Sequence, residues 1–187
     1  MPILFCNVRF APSVDYSAGG MPFACQPPGP GFALVGLTLR AGDWIDQVAP
    51  VYAEMLEDGT LGPAIHGPSF GGHGGILHEL RVQPGHVVTG VQTRSGSYLD
   101  AVRLLQTRWD GTLQGESTWT PWCGGMGGVE RIERCAEPQG NAVAVGIAGR
   151  AGGYVDNLTL VTAELMRVPG TAVAKGTGRV TKAAAVG

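Results

Sequence analysis

One nine-residue phrase occurs three times in this chain, and an internal repeat restricts the fold more than any other feature a sequence can carry. It reads Arg40-Ala41-Gly42-Asp43-Trp44-Ile45-Asp46-Gln47-Val48, then Arg94-Ser95-Gly96-Ser97-Tyr98-Leu99-Asp100-Ala101-Val102, then Arg150-Ala151-Gly152-Gly153-Tyr154-Val155-Asp156-Asn157-Leu158. An arginine, a glycine two residues on, an aromatic, an aliphatic and an aspartate keep their places. Asp46 and Asp100 are 54 residues apart, Asp100 and Asp156 are 56. This spacing implies three copies of one β unit, each presenting an aspartate from a loop.

A glycine loop forms the second repeat: Gly71-Gly72-His73-Gly74-Gly75 and Gly124-Gly125-Met126-Gly127-Gly128, with only Gly19-Gly20 at the first such place. From the last glycine of each loop to the phrase glycine is 22, 21 and 24 residues for Gly20–Gly42, Gly75–Gly96 and Gly128–Gly152. Strand character appears at 3–10 and 33–39, and the stretches after each phrase (48–56, 102–107, 158–162) also read as strands, because one repeat has one structure. Residues 76–82 and 129–135 alternate apolar and polar, the pattern of a sheet with one buried face. Four prolines between Met21 and Phe32 make that stretch an edge or a loop.

The alternation of glycine loop, strand pair and Gly-x-x-x-Asp loop, three times over, resembles the jacalin-related lectins, and among them the mannose-binding members with several sites. The resemblance implies an all-β fold, the β-prism I, with three four-stranded Greek-key units in pseudo-threefold symmetry. The lectin-like domain is then 1–167, with units of about 1–56, 57–110 and 111–167. Residues 168–187 remain as a small-residue-rich basic tail, flexible or an arm for assembly.

The resemblance also implies the site. In the family the aspartate accepts hydrogen bonds from two sugar hydroxyls, and backbone amides just before it reach the sugar. A glycine loop of the neighbouring unit supplies a further amide. Carried over, Gly42, Trp44, Ile45 and Asp46 work with Gly72, His73 and Gly74. Gly96, Tyr98, Leu99 and Asp100 work with Gly125, Met126 and Gly127. Gly152, Tyr154, Val155 and Asp156 face Gly19 and Gly20. Met21-Pro22 stands where a second glycine pair belongs, and proline has no amide to donate, so the Asp156 site departs from the family's pattern.

These residue types suit a sugar. A carboxylate only accepts, and its several lone-pair sites take protons from two adjacent hydroxyls; hydrogen bonds to a charged group contribute about 1.5–3 kcal/mol. Glycine lets backbone approach a ligand closely. The aromatics Trp44, Tyr98 and Tyr154 stand ready to flank the ring or a further residue of a longer glycan. Arg40, Arg94 and Arg150 read as structural.

The expected function is therefore a metal-independent, multivalent lectin for mannose- or glucose-type glycans, needing no cofactor and not an enzyme. The alternatives are a structural or assembly subunit built on the same prism, including a homo-oligomer joined through the tail, and a domain that carries a separate toxin or enzyme to glycosylated surfaces. Only 15% of residues are charged and the net charge is −2, which argues against nucleic acid as a partner. No apolar run approaches the length of a membrane-spanning helix, and Met1 to Cys6 lacks a signal-peptide leader, which leaves the cytoplasm or a leaderless export route. His66, His73, His78 and His86 lack the spacing of a metal site, and no Gly-x-Ser-x-Gly elbow of a hydrolase appears. Cys6, Cys25, Cys123 and Cys135 allow three disulfide pairings that the sequence does not distinguish, and also read as small buried thiols.

Overall fold

The computed structural model describes residues 3–10, 19–135 and 140–167. The tail at 168–187 and positions 16–18 lie outside these. All fourteen elements among the described residues are strands, and they form three curled antiparallel sheets that make up the sides of a β-prism.

Each sheet is built on a long central hairpin: β3 (Phe32–Ala41) with β4 (Ile45–Glu54), β8 (His86–Ser95) with β9 (Leu99–Trp109), and β13 (Ala142–Ala151) with β14 (Val155–Arg167). In the first sheet β7 (Ile76–Arg81) flanks β3, while the short strands β5 (Ile65–His66) and β6 (Phe70–Gly71) share the other edge. The second sheet repeats this with β12 (Val129–Arg134) beside β8, and β10 (Leu113–Trp119) and β11 (Cys123–Gly124) beside β9. The third sheet takes both its outer strands from the start of the chain, β1 (Ile3–Phe10) on β14 and β2 (Met21–Cys25) on β13. Pro22 lies on this edge strand, where proline is tolerated.

The sheets therefore divide the chain differently from the expected units 1–56, 57–110 and 111–167. They comprise 32–81, 86–134, and 142–167 with 3–10 and 21–25. The β13/β14 hairpin has two open edges like its counterparts, and the chain that covers them comes from the other terminus.

The hairpins bury their apolar rows against one another. Ile45, Leu99 and Val155, the phrase aliphatics, are all fully buried in one cluster with Leu39, Val48, Val102, Leu104, Ile147 and Leu160. Burying a side chain of this size stabilises by about 1.5–3 kcal/mol, so the residue before each aspartate anchors its loop. The outer strands β7 and β12 differ from expectation. Their alternation does not bury a face: Ile76, Leu77, Val129 and Ile132 are exposed, and of this group of strands' apolar residues only Leu80 is buried. They pair along one edge only, at the border of their sheets. All four cysteines are free thiols; Cys25 is buried, and burial pushes the thiols of Cys123 and Cys135 up.

Candidate functional site

The phrase is the end of each central hairpin, and it folds the same way three times. The loop glycine donates its N–H to the carbonyl of the aromatic two residues on, at 2.9 Å for Gly42–Trp44, 3.0 Å for Gly96–Tyr98 and 2.8 Å for Gly152–Tyr154. Beyond this turn the register slips by one. Ala41 opposes Ile45 but Arg40 opposes Gln47, so Asp46 is an extra residue with no partner across the ladder. Ser95–Leu99 and Arg94–Ala101 leave Asp100 in the same position, and Ala151–Val155 and Arg150–Asn157 leave Asp156. A β-bulge re-aims a side chain, and here it turns each aspartate out of the strand's alternation.

The unpaired aspartate meets the glycine loop of its own sheet. The Asp46 carbonyl accepts the Gly72 N–H at 2.7 Å, and the Asp100 carbonyl accepts that of Gly125 at 2.8 Å. Gln47 Nε2 donates to the Gly72 carbonyl at 2.9 Å. The carboxylates lie against the last two glycines. A Cβ at Gly75 would stand 2.6 Å from Asp46 Oδ2, and one at Gly128 2.6 Å from Asp100 Oδ2. Both glycines have positive φ, +64° and +78°, and Gly20 shares it at +58°. Gly74, Gly127 and Gly19 leave room for the other oxygen in the same way, because a methyl group on any of them would collide with the Asp46, Asp100 or Asp156 carboxylate.

Two expectations change here. With the sheets as units, each glycine loop belongs to the aspartate's own unit and not to its neighbour. Nor does Met21-Pro22 replace a glycine pair. Gly19-Gly20 occupies the place of Gly74-Gly75 and Gly127-Gly128 around Asp156, and Met21-Pro22 begins the strand that follows, as Ile76-Leu77 and Val129-Glu130 do. In sequence the departure falls on Tyr16-Ser17-Ala18, outside the described residues. Neighbouring units still touch: Gly72 packs on the backbone of Gly153 and Gly125 on that of Asp43.

The phrase arginines hold the glycine loops. Arg40 donates from Nε to the Gly74 carbonyl at 2.7 Å and from Nη2 to that of Gly75 at 2.9 Å. Arg150 does the same to Gly19 and Gly20, at 2.7 and 2.8 Å. Arg94 instead donates to Glu130 Oε1 at 2.8 and 3.0 Å and lies over the Trp122 ring. The arginine column was visible in the repeat, but its target was not, because the loop it reaches is 34 residues away in Arg40.

The three aromatics meet one another. Trp44 packs edge-on against Tyr98 and Tyr154, with ring centroids 6.0 and 5.4 Å apart, and the two tyrosines are 4.8 Å apart. One ring from each unit closes this cluster, so the three aspartate loops share one end of the prism. Ile45, Leu99 and Val155 point into the core, and only their backbone faces the loops; Gly42, Gly96 and Gly152 are exposed at the turns, as are His73 and Met126 at the tips of the glycine loops.

Asp46, Asp100 and Asp156 are 8, 7 and 4% exposed. Burial pushes the carboxyls of Asp100 and Asp156 above the ordinary range, opposed by the Gly96 amide beside Asp100 and by the Arg150 charge beside Asp156. Each site thus combines a hydrogen-bond acceptor partly removed from water with a side-chain-free backbone wall. Such a pocket suits a neutral ligand rich in hydroxyls. Among the described residues no three His, Cys, Asp or Glu side chains gather as a metal site would.

No family model matches the chain, and neither does any curated protein. Solved structures do. The chain is similar to Malaysian banana lectin, with 18% identity, a TM-score of 0.53, and 88% of this chain and 99% of that one covered. It is similar to artocarpin in its mannotriose complex (13%, TM-score 0.57, 87% and 98% covered) and to AcmJRL, a mannose-binding jacalin-related lectin from Ananas comosus (17%, TM-score 0.51, 89% and 99% covered). The fold is that of the jacalin-related lectins.

Proposed function

We propose that this protein is a lectin that binds mannose- or glucose-type glycans without a metal ion, and that it is not an enzyme. One observation carries the reading: three aspartates, each displaced by a bulge against a pair of glycines, lie at one end of the prism around a shared aromatic cluster. Solved neighbours of the same fold include complexes with mannotriose and with methyl α-mannose, which supports sugar as the ligand. The three sites comprise Asp46 with Gly74-Gly75, Asp100 with Gly127-Gly128, and Asp156 with Gly19-Gly20. Each holds a monosaccharide near the millimolar range, about −4 kcal/mol, and useful affinity comes from engaging several branches together.

A mannose-rich glycan array, followed by titration of methyl α-mannoside, tests this. Alanine at Asp46, Asp100 and Asp156 together abolishes binding and leaves the circular dichroism unchanged, and chelator has no effect. Full binding by the triple variant would sink the assignment. The assembly reading draws on one observation, the exposed apolar side chains of Ile76, Leu77, Val129 and Ile132 on outer strands. A glycan-silent protein that elutes as an oligomer would favour it.

A further inference from the structure

The second sheet carries a side-chain assembly that its counterpart lacks. The Arg94 guanidinium lies 4.2 Å from the ring centroid of Trp122, and that of Arg103 lies 4.7 Å from Trp122 and 5.0 Å from Trp119. Both arginines are fixed by further bonds. Arg103 donates twice to Gln92 Oε1, at 2.8 and 2.6 Å, and Gln92 donates to Glu130 Oε2 at 2.9 Å. Glu130 Oε1 takes both bonds from Arg94. Trp122 thus lies against both guanidiniums and Trp119 against one, and both indoles are half-buried, with part of their surface in solvent.

This assembly stands next to the Asp100 site. Trp122 precedes Gly124 by two residues, roughly 7 Å along a strand, and Gly124 packs on the Asp100 carbonyl. Arg94 pairs directly with Ala101. The prism does not need the stack: in the first sheet the equivalent places hold His66, Ser69 and Ala49. Flat apolar rings beside the strand that carries Asp100 suit the C–H face of a second sugar ring, and an indole presents a large rigid surface at little entropic cost.

We infer that Trp122, with Trp119, is a stacking subsite, so that the Asp100 site takes an oligosaccharide where the Asp46 site takes a terminal residue. This rests on the glycan reading of Asp100 and deepens it.

The test uses the full chain with alanine at Asp46 and Asp156, which leaves the Asp100 site alone, beside a second protein in which only Asp46 remains. Methyl α-mannoside and mannotriose are titrated into each by calorimetry. Mannotriose is expected to bind about tenfold more tightly than the monosaccharide at the Asp100 site, with less than about threefold gain at the Asp46 site. Trp122→Ala brings the ratio at Asp100 down to that at Asp46, and Trp122→Phe restores part of it. Should Trp122→Ala not fold, tryptophan fluorescence of the Asp100-only protein decides. A change with mannotriose, but not with the monosaccharide and not in the Asp46-only protein, supports the subsite. Equal gains at the two sites, or no such change, overturn the subsite and leave the glycan reading standing; binding of neither sugar at Asp100 overturns both.

Discussion

Gly74 leaves the space that the Asp46 carboxylate occupies: a methyl group at position 74 would collide with Asp46 Oδ1, and Gly75 beside it is held at φ +64°. On the proposed sugar reading, affinity depends on the absence of a side chain as much as on the acid. Gly74→Ala is expected to weaken sugar at the Asp46 site more than tenfold and to cost about 1–3 kcal/mol of stability. Gly42→Ala, whose Cβ would meet nothing within 4 Å, shifts stability by less than about 0.5 kcal/mol. Calorimetry and thermal unfolding of the two variants separate these outcomes.

Asp100→Asn separates binding from folding. Burial raises the Asp100 carboxyl because the charged form is disfavoured in the fold. The neutral isostere relieves that penalty while losing one of the acceptors proposed to take the sugar's hydroxyls. Thermal unfolding at pH 7 without ligand should show the variant at least as stable as the parent, and titration at the remaining Asp100 site a loss of tenfold or more. A marked fall in stability would mean that the carboxylate holds the turn.

The same burial sets the pH dependence. For Asp100 and Asp156 the folded pKa lies above the unfolded value of about 3.9. Their contribution to stability is thus complete below that value and is lost as pH rises through the folded pKa. If these carboxylates accept from sugar hydroxyls as proposed, the ionised form binds, and the dependence of affinity runs the other way. Binding at these sites should fall on acidification at a pH above that of an ordinary aspartate, while circular dichroism still reports a folded chain.

Arg40 and Arg150 make matching pairs of bonds to the glycine carbonyls. Alanine at either should loosen its loop, lower affinity at that site several-fold and cost about 1–2 kcal/mol. Hydrogen exchange at Gly74-Gly75 or Gly19-Gly20 reports the loosening directly. Arg94→Ala acts elsewhere, releasing Glu130 and Trp122.

Because Trp44 touches both Tyr98 and Tyr154, the three loops are coupled. A double-mutant cycle of Trp44→Ala with Tyr154→Ala is expected to show an interaction of about 0.5–1.5 kcal/mol. Strict additivity in unfolding would mean the rings pack independently.

Much of this was legible in the chain. The thrice-repeated phrase announced three β units with an aspartate on a loop of each, and glycines spaced from it marked the facing loops. These are local signals, carried by residues close in sequence, and each copy reinforced the others. The alternation in 76–82 and 129–135 misled, since a period of two reports a strand and not what covers it.

What the tertiary structure alone decided depends on pairing between distant segments. The bulge that displaces each aspartate is a register slip between two strands. It is set by how the loop turn and the buried aliphatic fit together, and no residue type signals it. The covering of the β13/β14 hairpin by residues 3–10 and 21–25 joins opposite ends of the chain, which a linear division into thirds misses. Spacing had already aligned Gly20 with Gly75 and Gly128, but that Met21-Pro22 belongs to the strand that follows is seen only in the pairing with β13, and the arginines' hold on the loops only in the folded chain. The sequence by itself determined which residues recur and that they lie at hairpin ends; packing at the end of the prism determined what each of them touches.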